Sequence, residues 1–139
     1  MNATVTWVED ALFVASSGSG HSVVMDGPAD HGGKNLGVRP MEMVLMGLGG
    51  CSAFDVVDIL KKSRQTVRDC RVELTAERAA DVPAVFTKIH LHFIVAGHDL
   101  LPKQVARAVA LSATKYCSAS IMLERGGVEI THDHEIVEA

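Results

Sequence analysis

The sequence predicts an α+β domain, and three observations predict it. Short β-patterned runs stand at both ends of the chain, a long apolar helix signal lies near its centre, and an amphipathic helical stripe occupies its last third. Val5, Trp7 and Val8 begin a first strand, which Glu9-Asp10 interrupts. Leu12 to Ala15 and Ser22 to Met25 are two more, separated by the turn-forming Ser16-Ser17-Gly18-Ser19-Gly20, so the chain opens with a three-strand meander. From Asp26 to Arg39 the composition shifts to Gly, Pro, Asp, His and Asn, which marks a loop.

Pro40 starts a helix, since a proline at the first helical position lacks only an N–H that would be unpaired there anyway. Glu42 in the first turn suits the dipole, as do Lys61 and Lys62 at the other end, so the helix runs to about Lys62. From Met43 to Phe54 only Ser52 is polar, and a helix apolar all round is expected to be buried all round. A chain of 139 residues has trouble enclosing such a helix by itself, so a second copy is expected to cover one side. Gly47, Gly49 and Gly50 each cost about 1 kcal/mol relative to alanine in a helix interior, which calls for a close backbone approach as compensation.

Val67 to Glu77 and Val85 to Ala96 alternate as strands, joined by a turn around Pro83. A second helix begins near Pro102, carries Val105, Val109, Ser112, Ala113, Tyr116 and Ser120 at helical spacing, and ends at Gly126-Gly127. Val128 to Val137 closes the chain as a strand. The expected organisation is one domain over residues 1–139.

Composition narrows the function classes. With 13 basic against 17 acidic residues and no basic patch, a nucleic-acid or anionic-membrane partner is not expected. The N-terminus lacks a basic stretch followed by an apolar one, and the Met43–Phe54 run is shorter than the roughly 20 residues of a membrane span. A cytoplasmic location is the expectation, and there three cysteines do not form a static disulfide framework.

Those cysteines are the first candidates for chemistry. Cys51 lies inside the apolar helix, Cys117 towards the end of the second helix, and Cys70 in a strand between Asp69 and Arg71. No CxxC pair or ligand-spaced Cys/His set is present, so no metal and no cofactor is expected. Spacing alone favours burial of the cysteines as small hydrophobes. His90 with His92, and His132 with His134, each share a strand face; they line a solvated sheet face unless the two strands are neighbours and aim all four rings at one metal. Asp55 and Asp58 follow Cys51 by one and two turns and read as the helix emerging into solvent.

Two segments change the weight on the cysteines. Arg39-Pro-Met-Glu-Met-Val-Leu-Met-Gly-Leu-Gly-Gly-Cys51-Ser-Ala-Phe-Asp-Val-Val57 resembles the first-cysteine helix of the OsmC/Ohr family, in which a proline-initiated helix carries the peroxidatic cysteine. Leu111-Ser-Ala-Thr-Lys-Tyr-Cys117-Ser-Ala-Ser120 resembles that family's second-cysteine segment. Element order and length agree over the whole chain, and the Pro-Met-Glu-Met start is similar to an OsmC-like subgroup of poorly defined role.

The resemblance implies an OsmC-like fold forming an intertwined homodimer. It also implies a thiol-dependent organic hydroperoxide reductase of oxidative or osmotic stress defence. By similarity, Cys51 attacks the peroxide, Cys117 resolves the sulfenic acid to a disulfide, and a small dithiol or lipoyl-bearing protein reduces it. Met43, Met46, Leu48 and Phe54 would form an apolar substrate pocket. The family places a glutamate directly after the proline and pairs it to an arginine from an early loop. Here Met41 takes that place, Glu42 lies about 100° further round the helix, and Ser16 to His21 holds no arginine, which leaves Arg39 and Glu42 as the supporting candidates. The alternatives to a peroxidase are a non-enzymatic binder of a small apolar ligand and a stress-associated dimer with inert cysteines.

Overall fold

A computed structural model describes residues 1–139. The chain forms two compact units, Met1–Met46 and Gly47–Ala139, with the boundary inside the long helix.

The N-terminal unit holds the expected meander: β1 (Ala3–Glu9), β2 (Leu12–Ser17) and β3 (Ser22–Met25), antiparallel in that order. Asp10, at φ 46°, turns the chain from β1 into β2, a conformation that aspartate tolerates better than most residues. The loop that follows is organised by Asp26, which is almost fully buried. Its carboxylate accepts from the backbone N–H groups of Gly27 at 2.8 Å, Lys34 at 3.0 Å and Leu36 at 3.1 Å. Those bonds, Leu36 first and Lys34 next, hold the Asp26 carboxyl below its ordinary range.

The long helix, α1 (Pro40–Lys62), has the predicted bounds. Glu42 closes its first turn by accepting from the Arg39 backbone N–H at 2.8 Å, the reciprocal half of a capping box. Its C-terminus is shut by Arg64 at φ 58° and by the Gln65 N–H donating to the Leu60 carbonyl at 2.9 Å.

The expectation of burial all round is corrected within the single chain. Leu48, Gly49, Ser52, Val56 and Leu60 form one buried stripe, while Phe54 stays 70% exposed. The i, i+4 period of that stripe shows why: one chain covers one face. By length and composition α1 would suffice to cross a bilayer, with mean hydropathy 1.7 in its most apolar window. It nonetheless carries Asp55 and Asp58 and sets its stripe into a protein core. Of the three glycines, only Gly49 meets a close neighbour, since a Cβ there would fall 2.8 Å from Leu74 Cδ1, whereas Gly47 and Gly50 face open space.

In the C-terminal unit β4 (Thr66–Arg78) and β5 (Phe86–His98) pair antiparallel, and β6 (Glu129–Glu138) adds parallel to β5. A parallel neighbour requires a long crossover. It is supplied by α2 (Pro102–Leu111) and α3 (Ser118–Arg125). Ile89, Leu91, Phe93 and Val95 from β5 are buried, as are Val105, Ala108 and Val109 from α2. The single second helix expected over this stretch is therefore two. A π-helical turn, Ser112–Tyr116, intervenes, and Cys117 has extended backbone at φ −72°, ψ 102°. The Cys117 N–H reaches back five residues to the Ser112 carbonyl at 2.9 Å, and Thr114 Oγ1 donates to the Ala110 carbonyl at 2.7 Å. Hydroxyl side chains that compete for backbone groups explain why the α-helix yields here.

Candidate functional site

The helix break has a local consequence: Cys117 becomes the N-cap of α3, its sulfur accepting from the Ser120 backbone N–H at 3.4 Å. On α1, Cys51 and Asp55 stand one turn apart and therefore on one face. The two elements meet there. The Cys51 sulfur, a carboxylate oxygen of Asp55 and the Cys117 sulfur all lie within 4.8 Å of one another, and both cysteines are free thiols. Cys117 is fully buried, while Cys51 and Asp55 are half-buried.

Three serines tie the cluster together. The Ser52 hydroxyl and the Cys117 thiol share a hydrogen bond of 3.1 Å. Ser112 Oγ lies 3.2 Å from the Ser52 carbonyl and 3.3 Å from Asp55 Oδ2, and its hydroxyl donates to these acceptors. Ser120 is buried beside them with its hydroxyl unpartnered.

Burial pushes the Cys117 thiol up; Ser52 and the Ser120 N–H oppose that, and Cys51 adds to it. Burial also raises the Asp55 carboxyl, against the Ser112 hydrogen bond and with help from the Asp58 charge. The third cysteine stands apart: Cys70 lies opposite Val95 in the β4–β5 ladder, and burial, then Asp69, push its thiol up to about 11.

Beside Asp55 opens a cavity of about 550 Å³, lined by Asp58, Ile59, Lys62, Arg107 and Tyr116 among others. Lys62 bridges Asp58 at 2.7 Å. The four apolar residues expected to line a pocket are not gathered around this cavity: Leu48 is buried in the core, Met43 is half-buried, and Met46 and Phe54 are 55% and 70% exposed. Arg39 and Glu42 have structural partners of their own. The Arg39 guanidinium donates to the Gly37 carbonyl at 3.0 Å and to Asn35 Oδ1 at 3.2 Å, while Glu42 caps α1.

Asp55 is the residue that sequence reasoning misplaced. It is expected to mark the helix emerging into solvent, and it is half-buried, with a carboxylate oxygen within 4.8 Å of both sulfurs; its i+4 spacing from Cys51 was the available signal. The four histidines do not converge even though β5 and β6 are neighbours. Parallel register sets His132 and His134 beside Leu91 and Phe93, on the face opposite His90 and His92. Those two rings share Asp133 Oδ1 instead, at 3.0 Å from His90 Nε2 and 2.6 Å from His92 Nδ1.

Comparison with known proteins agrees with this architecture. The family model for OsmC-like proteins matches residues 32–133. Protein YhfA of Escherichia coli strain K12 is 56% identical over 139 residues, all of both chains. An OsmC-like protein of Mycoplasma pneumoniae shares the fold with a TM-score of 0.82 at 18% identity, over 98% of this chain and 96% of that one. The organic hydroperoxide resistance protein OsmC of Legionella pneumophila does so at 0.73 and 16%, over 96% and 95%. The two-sheet fold, the paired cysteine segments and the family match together establish that the chain belongs to the OsmC-like protein family.

Proposed function

We propose that this protein is a thiol-dependent peroxidase that reduces small organic hydroperoxides through Cys51 and Cys117. One observation carries the reading: the two sulfurs lie within 4.8 Å of each other, one fully buried and one half-buried. In this scheme the Cys51 sulfur attacks the distal peroxide oxygen, the O–O bond breaks, and an alcohol leaves. Cys117 then displaces water from the sulfenic acid to close a disulfide, which protects Cys51 from overoxidation. A small dithiol or a lipoyl-bearing protein reopens it. The working form is a cytoplasmic homodimer in which a second copy covers the apolar face of α1.

A specific observation supports a second reading, a non-enzymatic binder of a small apolar ligand. Arg39 and Glu42, the nearest substitutes for the family's activating pair, are engaged in loop and cap hydrogen bonds. Stopped-flow oxidation of the reduced protein by cumene hydroperoxide, beside hydrogen peroxide, separates the two. The peroxidase reading expects faster oxidation by the organic peroxide and a Cys51–Cys117 linkage by mass spectrometry. No oxidation, or linkage of either cysteine to Cys70, would overturn it.

A further inference from the structure

We propose that Asp55 is the proton carrier of the Cys51–Cys117 pair, taking each thiol proton as sulfur is oxidised and passing it to the leaving oxygen. The inference rests on the peroxidase reading for its substrate, and on the geometry for the carboxylate. One Asp55 oxygen lies within 4.8 Å of both sulfurs, so a single group reaches both reacting thiols. Ser112 fixes Asp55 through Oδ2 at 3.3 Å while also holding the Ser52 carbonyl, the residue whose hydroxyl touches Cys117. Asp55 also lines the neighbouring cavity, so the carboxylate has a path to water that the buried Cys117 lacks.

The charged and titratable groups around it are Asp58 and Lys62 on α1, Arg107 on α2, Tyr116 on the π turn, and the two thiols. Asp58 is bound to Lys62, which leaves Asp55 as the carboxylate facing the sulfurs. Burial raises Asp55, bringing its proton affinity nearer to that of a thiol, the condition under which a base and an acid exchange protons most effectively.

The steps balance. In the first, the Cys51 sulfur pair forms an S–O bond and breaks the O–O bond. The thiol proton passes to Asp55 and from there to the alkoxide, so sulfur loses two electrons and the hydroperoxide becomes an alcohol. In the second, the Cys117 sulfur forms the S–S bond and breaks the S–O bond. Its proton travels by Asp55 to the departing hydroxide, which leaves as water.

The test is Asp55→Asn, which keeps the shape and removes the proton-carrying function. Thiol loss is followed with cumene hydroperoxide and, separately, with the thiol oxidant diamide, over about pH 5 to 9. We expect oxidation near neutral pH to fall about 100-fold or more with both oxidants, recovering as pH rises through thiol ionisation. Ser112→Ala retains Asp55 but removes the bond that holds its carboxyl down, so the acid limb of the rate profile should move to higher pH. This second variant also carries the test if Asp55→Asn fails to fold. Wild-type protein inert to the peroxide, with diamide oxidation still dependent on Asp55, would end the peroxidase reading and support the proton carrier. An unchanged diamide rate and profile in Asp55→Asn, or an unmoved acid limb in Ser112→Ala, would overturn the carrier.

Discussion

Phe54→Asp should split the homodimer proposed above. Phe54 projects from α1 at 70% exposure, and on the same helix face Gly47 and Gly50 have nothing within 4 Å of their Cβ positions. A phenylalanine side chain carries roughly 200 Å² of apolar surface, so about 140 Å² per copy leaves water when a second chain covers it. At about 25 cal/mol per Å² that is about 3.5 kcal/mol per copy and about 7 kcal/mol for a symmetric pair. Losing it weakens association by about five orders of magnitude. Sedimentation velocity at low micromolar concentration should give twice the 14.8 kDa chain mass for the wild type and the chain mass for Phe54→Asp. A folded wild-type monomer, or a variant that sediments as the wild type does, would refute the reasoning.

Two further perturbations test the scaffold. Leu60 is fully buried at the end of the α1 stripe, so Leu60→Ala should cost about 3 kcal/mol and lower Tm by about 10 °C in calorimetry; a shift within a degree or two would mean the stripe is not core. The Asp133 tie gives a pH signature. His92 is raised, chiefly by its hydrogen bond to Asp133, so its contribution is complete below about 6.5 and fades as pH climbs through the folded value. Asp133 is lowered, chiefly by His92, so its contribution is complete above about 3.9 and fades as pH falls through its folded value. Urea unfolding should therefore show the wild type gaining most over Asp133→Asn between about pH 4 and 6.5 and losing that gain as pH climbs through the folded value of His92; parallel profiles would rule the tie out.

Periodicity and punctuation carried most of the fold. Alternation in Ile89, Leu91, Phe93 and Val95 located β5, and Pro40 with Lys61-Lys62 bounded α1 to the residue. What escaped was set by tertiary contact. The break at Ser112–Tyr116 sits inside a stripe with good helical spacing, and only the bonds of Thr114 and Cys117 to earlier carbonyls show that the turn widens. The β5–β6 register, on which the histidine geometry depends, follows from a parallel pairing that no local pattern encodes. At the site, the family resemblance singled out Cys51 and Cys117. The neighbouring Asp55 was discounted because a negative charge beside Cys51 disfavours a thiolate, and here Ser112 of the serine-bearing turn hydrogen-bonds its carboxylate.

The half-buried sulfur of Cys70 has a practical consequence for anyone following this chemistry. With its ionisation pushed up to about 11, it stays protonated at neutral pH and reacts slowly with electrophiles and oxidants. Stoichiometric titration of the native protein with a chromogenic disulfide should thus resolve into two phases: a fast one that begins at half-buried Cys51 and takes in the adjacent Cys117 by thiol–disulfide exchange, and a lagging one from the strand. The unmodified chain carries its own internal reference, and oxidation of the couple can be counted against a thiol that serves as a clock.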